Sequence, residues 1–286
     1  MSEAQPDHGP AALLRDAAAQ APRVERIRHE LRRRTLTVLR VERPAAQMVR
    51  VILGGPELAG FTSRGFDDHV KLFFPTPAGP ASASLDTPGA YEKRDFTPRH
   101  YDAAAGELWL EFFLHPAGAE HLPGPAAHWA AQAVAGQSLV VAGPKGSAVI
   151  FPETIDAHFL IGDETAVPAI QRRLEELPAH ARAVVLVEAD PGAAWPLPHG
   201  PAAVTVRWVT RTGAGAPAQE LIAALRVMEF PPGRCFFWVA AESRSARAVR
   251  RYLHEERGVG RRWIKAAGYW QRGAAGVHDH IAEDGE

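Results

Sequence analysis

The sequence predicts two consecutive units, a six-stranded antiparallel β-barrel and then an α/β unit built on a parallel sheet. Between residues 36 and 142, short apolar runs alternate with clusters of Gly, Pro and Asp, which is typical of antiparallel strands joined by tight turns. From residue 158 onward, short apolar runs alternate with helical patterns, which indicates a parallel sheet covered by helices. The length of 286 residues is sufficient for two buried cores.

Six short apolar segments, each bounded by turn residues, are the predicted strands of the barrel. They are residues 36–41, 48–53, 69–74, 96–101, 108–114 and 138–142. One helix is predicted between the last two strands, over residues 124–135, because Pro125 suits a first helical turn and Gly136 a helix end. Residues 1–22 are rich in alanine and polar side chains and are expected to form a flexible arm.

The second unit shows the alternating pattern of a parallel sheet with covering helices. The predicted strands are residues 158–161, 183–187, 204–209 and 235–240, and the predicted helices are residues 166–177, 218–230 and 246–257. The change of pattern falls just after the turn at residues 143–146. We therefore predict one domain over residues 23–151 and a second over residues 152–286.

Composition and charge exclude several classes of protein. Hydrophobic residues make up 46% and charged residues 23% of the chain, which is typical of a globular protein. A formal net charge of -1 argues against nucleic acid as a partner, and no apolar run approaches the roughly 18 residues of a membrane helix. Residues 1–20 lack the basic start and apolar stretch of a secretory signal, so we expect a cytoplasmic protein without membrane insertion.

The cysteine content of the chain excludes two further structural features. Cys235 is the only cysteine, which excludes an intramolecular disulfide and a cysteine-rich metal site. It lies in an apolar run, where a buried structural thiol is expected. The spacings of the thirteen histidines do not fit a metal-ligand set, so no metal site is predicted.

The segment Lys93–Arg99 carries side chains that suit a cofactor with a pyrophosphate and a flat ring. Arg94 offers a fork of donors for a pyrophosphate, Phe96 a flat apolar face, and Thr97 a hydroxyl for a ring nitrogen. Neighbouring residues of a strand point in opposite directions, so a bend near Pro98 is needed to bring all three to one ligand. The alternative is an ordinary edge strand with an ion-paired arginine and a core phenylalanine.

Two further features suit phosphates and nucleotides. A helix that begins at Pro125 would point its free backbone N–H groups at a phosphate. The segment from Gly162 to Ala166 follows the first strand of the second unit. Small residues at that turn let the backbone approach a ligand at the carboxyl end of a parallel strand.

Taken in order, these segments resemble the siderophore-interacting protein family, flavin-dependent ferric-siderophore reductases within the ferredoxin-reductase-like group. The resemblance runs from about residue 36 to residue 273. The matching segments are residues 68–72, 94–99, 113–115, 124–130, 143–146, 162–169, Trp208 with Arg211, 238–242 and 268–273.

The resemblance implies an FAD-binding barrel, an NAD(P)H-binding α/β domain, a flavin at their junction, and a C-terminal segment that returns to the flavin. The residues that it implies for FAD are Arg94, Phe96, Thr97, His115, Ala126, Ala127 and Trp129. Those that it implies for the nucleotide are Gly162, Asp163, Glu164, Thr165, Ala166, Ala241 and Glu242. Trp270 is expected near the cofactor, where the family's chain end folds back.

Four positions depart from the family pattern. Phe96 stands where the family has tyrosine, which keeps a stacking face but loses a hydroxyl. Ala241 replaces a glycine, and its methyl group would crowd a nucleotide. The loop over residues 116–123 is longer than in the family, and Gln271 stands in place of an arginine, with Arg272 beside it as a substitute.

The implied activity is the reduction of a ferric siderophore to release ferrous iron. A hydride pair passes from NADH or NADPH to FAD, and single electrons pass on to ferric iron, which needs no general acid or base. Ferric siderophores are often anionic, so a basic pocket would attract them. The candidates are Lys71, Lys145, Lys265 and Arg272, although each could equally be a solvated surface charge.

The electron donor and the final acceptor stay open at the level of the sequence. Glu188 and Asp190 end the second strand of the α/β unit and favour NADH, whereas Arg207 and Arg211 favour NADPH. A ferredoxin is an alternative donor, and we expect a monomer or a weak oligomer. Two other functions fit the same scaffold: a general flavin or small-acceptor reductase, and a protein that binds a ferric siderophore without catalysis.

Overall fold

The computed structural model describes residues 21–76, 84–114, 124–191, 195, 197, 202–212, 216–273 and 279–281. In these residues the chain forms a seven-stranded antiparallel sheet, a six-stranded sheet that is largely parallel, and a separate pair of strands. The predicted fold class is therefore confirmed. His115 and the loop over residues 116–123 lie outside the described residues.

Over its described residues, the first unit contains nine strands and one short α-helix. Its elements are β1 (Val24–Arg28), β2 (Arg33–Ala45), β3 (Met48–Gly54), β4 (Val70–Pro75), β5 (Tyr91–Phe96), β6 (His100–Asp102), β7 (Glu107–Phe113), α1 (Pro125–Ala131), β8 (Ser138–Ala142) and β9 (Gly146–Ile150). In the antiparallel sheet the strands lie in the order β5-β4-β8-β2-β3-β7-β6. Apolar side chains on the inner face of these strands form a fully buried core.

The two edge strands of this sheet are consecutive in the sequence. Only Thr97, Pro98 and Arg99 separate β5 from β6. Four Cα–Cα steps span at most about 15 Å, so the two edges come close together and the sheet curls into a barrel. The predicted strand over residues 96–101 therefore covers only the last residue of β5, the turn and the start of β6, and the sheet has seven strands rather than six. Pro98 has no N–H group for a ladder, which explains the interruption.

Helix α1 begins where it was predicted but is shorter. It starts at Pro125 and ends at Ala131, whereas the prediction ran to residue 135. The backbone of the following residues pairs with β2 instead: Gly136 N–H donates to the carbonyl of Val38, and Val38 N–H donates to the carbonyl of Gln137. Gly136 has a φ of 88°, which turns the chain into β8 at a conformation that glycine tolerates.

Strands β1 and β9 were not predicted. They pair in antiparallel register from Val24 with Ile150 to Arg28 with Gly146, apart from the seven-stranded sheet. This ribbon ties the start of the described chain to the segment that leads into the second sheet. The position of the domain boundary after residue 151 stays a prediction.

The second unit is a sheet covered by helices. Its elements are β10 (Ala157–Asp163), α2 (Val167–Glu176), β11 (Arg182–Ala189), β12 (Ala203–Thr210), α3 (Gln219–Arg226), β13 (Cys235–Glu242), α4 (Ser243–Arg251), β14 (Ile264–Trp270) and β15 (Asp279–His280). The strand order is β12-β11-β10-β13-β14-β15, and all neighbours are parallel except β14 and β15. The order reverses between β10 and β13, which places a crevice at their carboxyl ends.

The helices of this unit differ from the prediction at their ends. Helix α3 stops at Arg226 and not at residue 230, and the guanidinium of Arg257 donates to the carbonyls of Leu225 in its last turn and of Met228 just beyond it. Helix α4 begins at Ser243, three residues before the predicted start, and a π-helical turn follows it. None of the helices in the described part of the chain has the length and apolar character that a membrane crossing needs.

Charged and aromatic side chains join the two sheets. Arg99 forms an ion pair with Glu175 of α2, and Arg172 of α2 donates to the carbonyl of Pro98 at 2.9 Å. Trp238 of β13 packs edge to face against Phe66, with 5.4 Å between ring centroids. These contacts place the turn between β5 and β6 against the helix that follows the first parallel strand.

Candidate functional site

Arg94 and Phe96 lie on the edge strand β5, paired with Leu72 and Val70 of β4. Arg94 donates to the carbonyl of Lys93 at 2.9 Å and to Glu92 Oε2 at 2.6 Å. Its side chain is partly exposed. Phe96 is half-buried, with one face against Phe112 at a centroid distance of 4.5 Å. The aromatic ring is thus anchored in the core and remains partly accessible.

Thr97 is buried and bonds to the C-terminal strand of the other sheet. Its side chain forms a hydrogen bond with Tyr269 of β14. Burial raises the pKa of Tyr269 well above its usual value, and the nearby charge of Asp67 adds to this, while the bond to Thr97 opposes it. The tyrosine therefore stays protonated at neutral pH. Thr97, one of the three residues of this segment that were predicted to bind the flavin, therefore lies at the junction of the two sheets.

Helix α1 lies beside the same aromatic core. The ring of Trp129 packs against Phe74 and Phe112, with centroid distances of 5.8 and 5.7 Å. Phe112 thus contacts both Phe96 and Trp129, and it links the predicted flavin strand to the predicted flavin helix. Gly124 precedes the helix and supplies no side-chain cap, which leaves first-turn N–H groups, those of Ala126 and Ala127, as donors for a ligand.

These residues fit FAD by their chemistry. Two contacts of Arg94 engage Glu92 and Lys93, whereas a guanidinium has five N–H donors. The guanidinium of Arg94 and the uncapped N–H groups of α1 together form a donor set suited to a pyrophosphate. The half-buried rings of Phe96 and Trp129 offer apolar faces for a planar ring system.

Asp163 organises the carboxyl ends of three neighbouring strands. Its Oδ1 accepts from the N–H and the hydroxyl of Thr165 at 2.9 and 2.5 Å. Its Oδ2 accepts from the N–H of Glu242, at the end of β13, at 3.0 Å and from Trp270 Nε1, at the end of β14, at 2.8 Å. Asp163 is 2% exposed, so a buried carboxylate joins two other predicted nucleotide-site residues, Thr165 and Glu242, to Trp270.

Packing alone requires a glycine at position 162. A Cβ atom at this position would lie 2.2 Å from the carbonyl oxygen of Ala240 and 2.5 Å from the Cβ of Ala166. Both distances are shorter than real contacts. The small residues of this turn therefore let β10 approach β13 closely. Ala241, which replaces a family glycine, is itself buried in β13.

Glu164 and Glu242 are both engaged by neighbouring residues. Glu164 is 3% exposed and forms an ion pair with Arg211. Burial raises the pKa of Glu164 to about 7, the charge of Asp163 acts in the same direction, and Arg211 opposes both. The carboxylate of Glu242 caps α4 by accepting from the N–H groups of Arg244 and Ser245.

Three of the four predicted substrate-binding cations are connected through strand register or ion pairing to one stretch of the barrel, residues 67–71. Lys71 is in register with Ala142, just before the turn that contains Lys145, and Lys265 reaches Asp67, four residues before Lys71. Lys71 pairs with Asp95 at 2.7 Å, and Lys265 pairs with Asp67 at 2.6 Å. Arg272 lies apart from them, where its N–H donates to Glu242 at 3.3 Å.

Sequence reasoning missed several residues of this region. Asp67 accepts from Lys265 and from Trp238 Nε1, and although burial acts to raise its pKa, these partners hold the pKa below its usual value. Tyr269 and Arg99 join the two sheets. Asp67 stands beside a segment that the resemblance had singled out, and Arg99 and Tyr269 stand within two others, which was the one available signal.

Comparisons with known proteins match both units. A family model described as "Siderophore-interacting FAD-binding domain" matches residues 37–148, and one described as "Siderophore-interacting protein" matches residues 155–273. A protein of Escherichia coli named NADPH-dependent ferric-chelate reductase is 36% identical over 261 residues, which cover 86% of this chain and 96% of that protein. A Vibrio cholerae protein named ferric vibriobactin reductase ViuB is 31% identical over 84% of this chain and 90% of its own length.

A solved structure agrees with these matches. The crystal structure of a siderophore utilization protein from T. fusca has a TM-score of 0.78 and 36% identity, and the alignment covers 91% of this chain and all of that one. The resemblance seen in the sequence is thereby confirmed. The predicted cofactors, FAD and a nicotinamide nucleotide, and the predicted class, an FAD-dependent oxidoreductase, are confirmed with it.

Proposed function

The chain belongs to the siderophore-interacting protein family, and from that membership we propose that it reduces ferric siderophores and so releases ferrous iron. The names of two relatives support the acceptor: one is called a ferric-chelate reductase and the other a ferric vibriobactin reductase. The observation that carries the proposal is the grouping of Lys71, Lys145 and Lys265 around one stretch of the barrel, next to the second sheet.

The flavin is proposed to lie against β5 and α1. Arg94 and the first-turn N–H groups of α1 would hold the pyrophosphate, while Phe96 and Trp129 would face the ring system. Thr97 and the predicted His115 complete the set. When bound, FAD supplies the conversion between a two-electron hydride donor and a one-electron acceptor.

The nicotinamide nucleotide is proposed to bind at the carboxyl ends of β10 and β13, where the strand order reverses. The turn from Gly162 to Ala166, together with Ala241 and Glu242, borders this edge. Asp163 and Trp270 fix the geometry there through a hydrogen bond of 2.8 Å. The residues of the turn thus hold the backbone in place for the donor rather than carry out proton transfer.

The three lysines are proposed to attract the substrate, with Arg272 as a more distant contribution to the positive field. Hydroxamate and catecholate siderophores present anionic or oxygen-rich surfaces, which positive side chains attract. Hard oxygen ligands hold ferric iron more strongly than ferrous iron, so reduction loosens the complex. Lys71 and Lys265 are paired with Asp95 and Asp67, which keeps both side chains positioned in the absence of substrate.

A spectroscopic experiment tests the function. The purified protein should be yellow, should bleach under anaerobic conditions with NADH or NADPH, and should regain its colour when a ferric siderophore is added. A chelator specific for ferrous iron should then report release of the metal. Bleaching without reoxidation by any ferric chelate would contradict the proposed acceptor, and a colourless protein that still binds a chelate would contradict catalysis altogether.

A cytoplasmic location, a monomeric or weakly oligomeric state, and the use of a ferredoxin as an alternative donor stay predictions. Size-exclusion chromatography with light scattering measures the oligomeric state. Anaerobic titration with a reduced ferredoxin measures whether a ferredoxin can reduce the flavin.

A further inference from the structure

Arg211 is held by three carboxylates at the carboxyl edge of the parallel sheet. Its Nη1 donates to Glu164 Oε1 at 3.0 Å and to Asp190 Oδ1 at 2.9 Å, and its Nη2 pairs with the other oxygen of Glu164. Its Nε donates to Glu188 Oε2 at 3.4 Å. Arg211 directly follows β12, whereas Glu164 follows β10 and Glu188 lies near the end of β11. One guanidinium is therefore shared among the ends of three adjacent strands.

The cluster carries more negative than positive charge. The three carboxylates that contact Arg211 give a formal net charge of -2 when all are ionised, and -1 when Glu164 is protonated. Asp163 and Glu220 add further negative charge nearby, since both raise the pKa values of cluster carboxylates. The side chains of Arg211, Glu164 and Glu188 are 20%, 3% and 12% exposed, so solvent screens this charge incompletely.

The flanking loops contain no other cation that could take the place of Arg211. The sequence has no Lys or Arg over residues 191–206, after β11, and none over residues 212–225, after β12. Arg207 is exposed within the edge strand β12, four residues before Arg211 and so about 13 Å away along the strand. Arg211 is therefore the one arginine that these two strands and their loops bring to the carboxyl edge.

We propose that this charge cluster makes the protein prefer NADH to NADPH. The inference rests on the proposed function, in which a nicotinamide dinucleotide binds at this edge of the sheet. In such folds an acidic side chain at the end of the second strand binds the ribose diol, and an arginine nearby accepts a 2′-phosphate. Glu188 occupies the first position, and Arg211, which would fill the second, is already neutralised by it and by Glu164 and Asp190.

The preference follows from the charges on the two ligands. A 2′-phosphate brings about two negative charges, and it would have to displace carboxylates from Arg211 or bind beside them. A free 2′-hydroxyl brings no charge and donates a hydrogen bond that a carboxylate accepts. The sequence alone left this choice open, because it could not show that the arginine and the acids contact one another.

Equilibrium binding to the purified, flavin-loaded protein tests the proposal without relying on turnover. Isothermal titration with NAD⁺ and NADP⁺ at pH 8 and low salt should give a dissociation constant for NADP⁺ at least about tenfold larger. The fragments 5′-AMP and 2′,5′-ADP, which differ in the 2′-phosphate, should show the same order. The discrimination should shrink as salt is added, because screening weakens the repulsion.

Two variants that each replace a carboxylate by a neutral amide test whether the charge cluster causes the preference for NADH. Asp190→Asn and, as a second variant, Glu188→Gln should each improve NADP⁺ binding by about threefold or more relative to NAD⁺, since each removes one negative charge beside Arg211. Asp156→Asn is the matched control, because Asp156 pairs with Arg234 at 2.9 Å next to the amino end of the same sheet. Its ratio of affinities should equal that of the parent protein.

Two results would overturn the proposal. Binding of NADP⁺ as tight as that of NAD⁺, or tighter, would show that Arg211 is available to a 2′-phosphate, and would leave the proposed function intact. If neither NAD⁺ nor NADP⁺ binds, and neither NADH nor NADPH bleaches the flavin, the inference and the proposed function are overturned together.

Discussion

Arg99 and Glu175 form a bidentate ion pair between the turn that joins β5 to β6 and helix α2. Nη1 and Nη2 of Arg99 lie 2.8 and 2.5 Å from the two carboxylate oxygens, and Nε donates to Gln171 at 2.8 Å. Arg99 is 6% exposed and follows Thr97 by two residues. The pair therefore couples the proposed flavin segment to the helix behind the proposed nucleotide turn.

Arg99→Ala is expected to lower the free energy of unfolding by about 2 kcal/mol, because it removes hydrogen bonds between charged groups at a buried position. Urea denaturation followed by circular dichroism measures this. Arg33→Ala is the control, since Arg33 pairs with Asp86 at 2.6 Å but both side chains are exposed, and solvent screens such a pair so that its loss changes stability little. Equal losses in the two variants would show that Arg99 is no more than a surface pair.

Gly162→Ala is expected to destabilise the protein by about 3 kcal/mol, at the upper end of the range for overpacked cores. The added methyl group would lie 2.2 Å from the carbonyl oxygen of Ala240, so the two central strands would have to separate. Thermal denaturation tests this against Gly124→Ala, where an added Cβ meets no atom within 4 Å. A Gly162→Ala protein as stable as its parent would remove the packing constraint.

His158 should make the protein less stable as the pH falls below neutral. Burial lowers the pKa of His158 to about 3, helped by the charge of Arg173, whereas the residue titrates near 6.5 when unfolded. The unfolded state therefore binds a proton between pH 6.5 and 3 that the folded state does not, and stability is lost as the pH falls through this window. Between pH 7 and pH 5 the loss from this residue is about 2 kcal/mol.

His158→Leu tests this linkage, because leucine fills the buried site without titrating. Urea denaturation at several pH values should show a flatter stability profile below pH 7 in the variant than in the parent. The two ring nitrogens of His158 have no hydrogen-bond partner in the described structure, so the substitution leaves no new unpaired group at this position. Parallel profiles for the two proteins would mean that His158 titrates normally in the fold.

Arg94→Ala is expected to weaken FAD binding by about 2–3 kcal/mol, the scale of a lost hydrogen bond to a charged group. The flavin absorbance of the purified variant relative to its protein absorbance, and fluorescence titration of the flavin-free protein, both measure this. Arg40→Ala is a matched control, because Arg40 is an exposed arginine of the same sheet, paired with Glu107 and Glu42. Undiminished flavin content in Arg94→Ala would remove the residue from the cofactor site.

Lys265→Ala is expected to raise the Michaelis constant for an anionic ferric chelate by about tenfold, while the rate of flavin reduction by the nucleotide stays unchanged. The reason is the loss of ground-state attraction. Lys265→Arg should restore most of the affinity, since it keeps the charge opposite Asp67.

A neutral ferric chelate separates attraction from structure in the Lys265 experiment. Removing the lysine leaves Asp67, whose side chain is 8% exposed, with Trp238 as its remaining hydrogen-bond donor. If the neutral chelate loses as much affinity as the anionic one, the effect is a distortion around Asp67 and not lost attraction. Lys93 is an exposed lysine on β5, and Lys93→Ala should change the Michaelis constant of neither the anionic nor the neutral chelate.

The sequence predicted the elements whose side chains are mainly apolar and buried. Strand β3 has only buried or half-buried residues, and its apolar run is unmistakable. Strands β1 and β9 were not predicted, because the charged residues of Val24–Arg28 and the small residues of Gly146–Ile150 obscure the alternation of apolar and polar residues that indicates a strand. Strand β14 was not predicted for a similar reason, since two alanines and a glycine form its centre.

The site could be predicted only as far as a resemblance to known motifs reached. Arg94, Phe96 and the turn from Gly162 to Ala166 stood in such motifs. The pairing of Lys265 with Asp67 and of Arg211 with Glu164 depends on how distant strands meet. No periodicity or spacing encodes such contacts, because they form between residues that are 47 or more positions apart in the chain.

The single thiol of the chain has a practical consequence for handling the protein. Cys235 is 6% exposed, its Sγ–H contacts the carbonyl of Pro231, and burial raises its pKa to about 11. A protonated, enclosed thiol reacts slowly with peroxide, which reduced flavins and ferrous iron generate in air. Purification therefore needs no dithiothreitol, a reagent that would itself reduce ferric iron and obscure the background rate of any assay.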